Sequence, residues 1–99
     1  MEYLVKRTDG EWFSLHRDRF QEILRPHSVE SSPVQGWGDY RIRLSNGEVA
    51  FSFEEVGLVI VFDKYSGTSE KAIQIVEEII RNIEMSTGEK GTIVRTSSR

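Results

Sequence analysis

Two alternating segments joined by an Asn-Gly pair constrain the fold of this chain more than any other feature. Residues 40–44 alternate large apolar with basic side chains, and residues 49–53 alternate large apolar with small ones after Asn46-Gly47. An Asn-Gly pair between two such segments predicts a β-hairpin, because both central residues of a type I′ turn need a positive φ.

A two-residue loop at Asn46-Gly47 also predicts one register for this hairpin. The expected pairs are Leu44 with Val49, Ile42 with Phe51, and Tyr40 with Phe53. All six of these side chains then lie on one face, and the other face carries Arg41, Arg43, Ala50 and Ser52. We therefore expect a sheet with one buried apolar face and one polar face.

The N-terminal part predicts two strands and a short helix. Residues 2–6 form the first strand, and residues 11–16 fit a second strand better than they fit the start of a helix. Asp18 is followed three residues later by Gln21, which matches the capping box at a helix start. We expect that helix to end before Pro26, which cannot continue it.

The C-terminal part predicts a strand, a long helix and a last strand. Residues 58–62 are an unbroken apolar run, typical of a strand that is covered on both faces or lies near the middle of a sheet. Residues 70–87 predict a long helix ended by Gly88 at the left-handed C′ position, and residues 91–95 a last strand beside the first or the central one. One arc of the helix, roughly 160° wide, collects its apolar residues. They are Ala72, Ile73, Ile75, Val76, Ile79, Ile80 and Ile83.

These elements assemble into an α+β fold, an antiparallel sheet of about five or six strands with both helices on one face. The expected order is close to ββαβββαβ. We expect residues 1–95 to form a single domain and residues 96–99 to be a frayed tail.

Composition narrows the functional classes. The 99 residues include no cysteine, so disulfides and thiolate chemistry are excluded, and a cytoplasmic location is expected. No segment approaches the ~20 apolar residues of a membrane span. A net charge of −3 argues against nucleic acid as a partner, because phosphate binding depends on Lys and Arg.

Catalytic and metal-binding patterns are not apparent. His16 and His27 are the only histidines, and no spacing typical of metal ligands or of a nucleophilic serine appears. Neighbouring carboxylates such as Glu54-Glu55 point in different directions on a strand, so adjacency alone does not make an acid–base pair. We expect no cofactor, no metal and no enzymatic activity.

Trp37 is the leading candidate for a binding residue. It lies between Gly36 and Gly38 at the end of residues 26–38, a segment without periodicity. A tryptophan there either plugs one end of the core or anchors a partner, because buried area and binding hot spots both favour this residue. Trp12 carries the same two alternatives.

Charged residues supply the other candidates. Arg41 and Arg43 form a basic stripe on the polar face of the hairpin. This stripe either binds an acidic partner or a nucleic-acid backbone, or it is solvated or paired with Glu48 and Glu54. On the outer face of the long helix, Glu77 and Glu78 either are solvated or steer a basic partner.

The sequence thus favours a small non-enzymatic module that binds another protein, with a homodimer possible. Bacterial immunity proteins and antitoxins, which block a toxin by binding it, are a class with this size and charge. One alternative is a regulatory nucleic-acid-binding module that uses the basic stripe of the hairpin. A small enzyme with a carboxylate site is the third.

Overall fold

The computed structural model describes residues 1–97, which form six strands and two helices. The strands are β1 (Glu2–Arg7), β2 (Ser32–Pro33), β3 (Tyr40–Leu44), β4 (Gly47–Glu54), β5 (Gly57–Asp63) and β6 (Gly91–Ser97). The helices are α1 (Phe20–Ile23), which directly follows a 3-10 turn at Arg17–Arg19, and α2 (Ser69–Thr87).

All six strands belong to one antiparallel sheet, so the α+β prediction is confirmed. The spatial order is β2-β3-β4-β5-β1-β6. β6 pairs with β1, as expected for a last strand beside the first. It includes Thr96 and Ser97, which were predicted to belong to a frayed tail, while Ser98 and Arg99 lie outside the described residues.

The β3–β4 hairpin forms, but the predicted register is wrong by two residues. Leu44 pairs with Gly47, Ile42 with Val49, and Tyr40 with Phe51. The two loop residues are therefore Ser45 and Asn46, and neither has the positive φ that a type I′ turn requires. Because the shift is even, the apolar and polar faces stay as predicted.

Gly47 explains this register. Its φ is 148°, and a Cβ there would lie 2.7 Å from the Cα of Tyr65. The backbone of residues 63–66 passes against this position, and the Ser66 N–H donates to the Asn46 carbonyl at 2.9 Å. Position 47 therefore requires a glycine because the backbone near Tyr65 packs closely against it, and not because of the turn.

Residues 11–16 are not the predicted second strand. β1 already pairs with β5 on one side and with β6 on the other, so no free edge remains for a strand that follows the Asp9-Gly10 turn. The segment runs across the end of the sheet without secondary structure.

The predicted capping box is also wrong. The Arg19 N–H donates to the His16 carbonyl at 3.0 Å, so the helical segment begins before Asp18 and places that residue inside its first turn. Neither flanking residue, His16 or Arg19, makes a side-chain capping bond.

The core lies between the sheet and the two helices. α2 buries five residues of its predicted arc, whereas Ile73 and Ile80 at the margins stay partly exposed. The five are Ala72, Ile75, Val76, Ile79 and Ile83. The six predicted apolar side chains of the hairpin lie in or against the same cluster.

The ends of α2 have recognisable caps. The Thr68 side chain accepts a hydrogen bond from the Lys71 N–H at 3.1 Å, so the helix starts at Ser69, one residue earlier than expected. Gly88 ends it with a φ of 78°, as predicted, and donates its N–H to the Glu84 carbonyl.

The second face of the sheet, called the open face here, carries no helix. β5 lies in the middle of the sheet, which confirms that alternative, but Val59 and Val61 on its open side are only half-buried. Leu4 and Ala50 on this face are buried.

The assignment of the buried face of α2 predicts how two substitutions change the free energy of unfolding. Ile79→Ala should lower the free energy of unfolding by about 2–5 kcal/mol, because it leaves a cavity under α2. Met85→Ala should change it by less than about 0.5 kcal/mol, since Met85 is 86% exposed. Urea denaturation of both variants checks this, and similar losses would show that the assigned helix face is wrong.

Candidate functional site

A groove of about 340 Å³ lies at the end of the sheet where β1 and β4 finish and β5 and β6 begin. We call it the Trp12 groove. Its lining residues are Lys6, Arg7, Gly10, Glu11, Trp12, Phe13, Phe53, Glu54, Glu55, Val56 and Gly57. Trp12 is 73% exposed and Val56 is 49% exposed, so two large apolar side chains at this groove face solvent.

The aromatic part of the groove is continuous with the hydrophobic core. The rings of Phe13 and Phe53 meet edge to face with centroids 6.4 Å apart, and Phe53 stacks on Phe20 at 5.3 Å. Phe20 in turn contacts Tyr40 at 6.0 Å. Because these rings belong to the packed interior, the groove is preformed.

Arg7 holds the backbone that presents Trp12. Its Nη1 donates to the Trp12 carbonyl at 2.8 Å, and its Nη2 donates to Asp9 Oδ2 at 2.6 Å. The other Asp9 oxygen accepts from the Glu11 N–H at 3.0 Å. One guanidinium therefore fixes both ends of the turn that precedes Trp12.

Glu89 fixes the other side of this segment. This buried carboxylate lies just after α2 and accepts hydrogen bonds from the Ser14 N–H at 3.0 Å and from the Ser14 hydroxyl. It also forms an ion pair with Arg7, with 3.4 Å between Nη1 and Oε2. Residues 11–16 pair with no strand, and their hydrogen bonds with Arg7 and Glu89 hold them in place instead.

These contacts stabilise the charged forms of their partners. The pKa of the Asp9 carboxyl is lowered, first by the hydrogen bond from the Glu11 N–H and then by the Arg7 guanidinium. The pKa of Arg7 is raised, mainly by its hydrogen bond to Asp9.

The rim of the groove is acidic. Glu11, Glu54 and Glu55 are exposed around it, against one exposed cation, Lys6. Within residues 1–97, none of these four takes part in an ion pair. The groove therefore combines apolar surface with a surplus of negative charge.

Trp37 lies at the same end of the sheet as Trp12. Asp39 links its loop to β4: the Asp39 N–H donates to the Phe51 carbonyl at 2.8 Å, and Asp39 Oδ2 accepts from the Phe53 N–H at 2.7 Å. Trp37 is 56% exposed and Trp12 is 73% exposed. Of the two alternatives for these tryptophans, the core plug is therefore wrong for both.

Arg41 and Arg43 do not form an open basic stripe. Arg41 is only 11% exposed and donates to Glu48 Oε1 at 2.6 Å and to Asp63 Oδ2 at 2.5 Å. Arg43 pairs with Glu48 at 3.1 Å. Pairing with Glu48 was one of the predicted alternatives, and Asp63 takes the place that was assigned to Glu54.

The loop that carries Trp37 covers the Arg41 side chain. A Cβ at Gly36 would lie 2.6 Å from Arg41 Cδ, so the backbone of this loop rests on the aliphatic part of the arginine. These contacts explain why Arg41 is withdrawn from solvent.

The two helix carboxylates have separate surroundings. Glu78 accepts hydrogen bonds from the His27 N–H at 2.6 Å and from the Ser28 hydroxyl at 2.5 Å, so it anchors a loop. Burial opposes its ionisation, but these bonds outweigh burial and lower its pKa. Glu77 lies beside β6, away from the Trp12 groove.

Trp12 is the one lining residue of the groove that the sequence analysis proposed as a site residue; Val56 and Phe13 are two of those that it missed. Val56 is an apolar residue in the two-residue loop between β4 and β5, where solvent-exposed positions usually carry polar side chains. That anomaly was a usable signal. Phe13 was assigned to a strand, and its position at the groove depends on where that segment lies.

Comparison with family models, with curated proteins and with solved structures gives no significant match. Within residues 1–97, no three carboxylate or histidine side chains converge as metal ligands. Neither helix in the described part of the chain has the length and apolar character needed to cross a bilayer.

Removing the Glu89 carboxylate should destabilise the protein. Glu89→Ala leaves the Ser14 N–H without its acceptor and removes one of the two carboxylates that pair with Arg7, so the free energy of unfolding should fall by about 1–3 kcal/mol. Urea denaturation measures the loss. Glu84→Ala is the matched control on the exposed side of α2, and equal effects of the two substitutions would contradict this role of Glu89.

The turn before Trp12 should loosen in acid. A carboxyl with a lowered pKa stabilises the folded arrangement above its unfolded pKa, and this contribution disappears as the pH falls through the folded value. For Asp9 that window lies below the ordinary value of 3.8. Fluorescence anisotropy of Trp12, measured in a Trp37→Phe background, should therefore drop only in this range.

The Asp9→Asn variant is the control for this experiment. It should show the lower anisotropy already at neutral pH and no further acid transition. If it follows the unsubstituted protein at every pH, Asp9 does not hold the turn.

Proposed function

We propose that this protein is a non-enzymatic module that binds another protein through the Trp12 groove. The observation that carries the proposal is the exposure of Trp12 and Val56 at a preformed concave site. Exposed tryptophans next to apolar pockets are typical of binding hot spots, because they bury a large area with few rotatable bonds.

The charges of the site favour a particular kind of partner. Glu11, Glu54 and Glu55 surround the apolar surface, with only Lys6 opposing them. A partner that inserts an apolar side chain flanked by Lys or Arg would complement both features. Rim carboxylates of this kind chiefly speed association and select partners, while the apolar centre supplies affinity.

The same charges do not favour a nucleic acid. Binding to a phosphate backbone needs cations that are free to replace counterions. Arg41 and Arg43 are instead paired with Glu48 and Asp63. The basic stripe on which that alternative rested is therefore neutralised by carboxylates of the neighbouring strands.

Trp37 extends the proposed surface. Its loop is tied through Asp39 to the backbone of Phe53, a residue that also lines the Trp12 groove. A partner that spans this end of the sheet would contact both tryptophans. Our proposal includes Trp37 as a second, more peripheral contact.

The biological class is also part of the proposal. A small, acidic, cysteine-free protein with a preformed apolar groove is suited to neutralising a partner by occlusion, as immunity proteins and antitoxins do. We propose a cytoplasmic location for it, where the lack of disulfides is no disadvantage.

Substitutions in the groove test the proposal. Trp12→Ala and Val56→Asp should each weaken partner binding by about 30-fold or more, the loss expected for a hot spot of about 2 kcal/mol. Trp37→Ala should weaken binding less. The partner is first captured from the native cell with the unsubstituted protein, and affinities are then measured by titration calorimetry.

Met85→Ala is the matched control, because Met85 is exposed on α2 and lies outside the groove. Thermal unfolding of each variant accompanies the titrations. The proposal fails if the groove variants bind as tightly as the control. It also fails if Trp12→Ala lowers the melting temperature by many degrees, since the tryptophan would then be structural.

A further inference from the structure

β6 is a long edge strand whose outer side pairs with no other strand among residues 1–97. It contains seven residues and pairs on its inner side with β1, whereas the opposite edge of the sheet is the two-residue β2. Proteins usually protect long edges with Lys, Pro or a covering loop. β6 contains neither Lys nor Pro, and Thr92, Val94, Arg95 and Thr96 are exposed along it; its pairing with β1 shifts by one residue at Val94.

A second feature runs alongside this edge. α2 and β6 enclose a groove of about 280 Å³ that is lined by Glu77, Ile80 and Arg81 on the helix and by residues 91–93 on the strand. Ile80 and Ile93 are only half-buried there, and Ile73 is exposed one helical turn before Glu77. The flank therefore presents an unpaired backbone and an apolar seam side by side.

The charges on this flank are self-complementary. Glu77 and Arg81 are both exposed and lie four residues apart on the same side of α2. A two-fold axis reverses the direction of the helix, so an axis level with Ile79 places Glu77 of each copy opposite Arg81 of the other. One surface then supplies two identical ion pairs, which is what an isologous interface requires.

We infer that β6 pairs antiparallel with β6 of a second copy of this chain about such an axis. The pairing would join two six-stranded sheets into one of twelve, with the two α2 helices side by side over the seam. A stable interface needs about 600–1,000 Å² from each copy. A molecule with extents of 33 × 27 × 23 Å has flanks of that size.

This inference is independent of the proposed function. The Trp12 groove lies at the end of the sheet, and its lining does not include the β6 edge. Because the two-fold axis reverses the strands, a dimer would carry its two grooves at opposite ends. Such a dimer could hold two partner molecules at once.

Sedimentation equilibrium between about 1 μM and 1 mM tests the inference in the concentration range where weak dimers form. The mass should rise from the 11.4 kDa of one chain to twice that value. Glu77→Arg should raise the dimer dissociation constant at least tenfold, because Arg81 of the second copy then faces a like charge. The double variant Glu77→Arg with Arg81→Glu should restore dimerisation.

Two control measurements keep the outcome clear. Val56→Asp, in the Trp12 groove, should leave the dissociation constant unchanged, and circular dichroism should show that every variant is folded. A monomer at all concentrations overturns the inference, as does a dimer that is insensitive to Glu77→Arg. Failure of the double variant to restore the dimer overturns it too, because the substituted surface would then not be facing itself.

Discussion

Burial of the α2 stripe against one face of the sheet is the interaction on which the rest of this structure depends. The five buried residues of the helix contribute on the order of 10 kcal/mol, comparable to the net stability of a small domain. The same contact decides which face of every strand is interior, and therefore which side chains remain available for binding. It also sets α2 beside β6, which creates the flank with the unpaired edge.

The end of the sheet that carries the Trp12 groove shows how a segment without secondary structure can still be fixed. Both sides of β1 are occupied, so residues 11–16 cannot join a β-ladder. Arg7 and Glu89 supply hydrogen bonds to this segment instead, and Phe13 attaches it to the aromatic cluster. Trp12 is held exposed by this arrangement rather than folded inward as a core plug.

The arginines on the open face of β3 are paired within the protein, unlike the charged residues at the rim of the Trp12 groove. Arg41, withdrawn beneath the Gly36 backbone and paired with two carboxylates, ties β3 to β4 and β5. The basic residues that looked like a ligand site are thus part of the packing of that face. Trp12, Trp37 and Val56 are exposed at one end of the sheet, and Ile73 and Val94 are exposed near its β6 edge. The groove and the β6 flank are therefore the surfaces on which interactions with other molecules are proposed.

Sequence periodicity by itself determined the fold class, the interior face of the hairpin and the buried side of α2, because these depend on spacing along one element. The sequence also identified Gly88 as the end of α2 and Met85 as a residue outside its buried face. Only the tertiary structure decided the hairpin register, the fate of residues 11–16 and the pairing of Arg41, since each depends on what lies beside the element. The register follows from the close packing of Tyr65 against Gly47, and residues 11–16 form no strand because β1 has no free edge. The Trp12 groove belongs to the second group, because its walls come from residues 6–13 and 53–57, two segments that are distant in the chain.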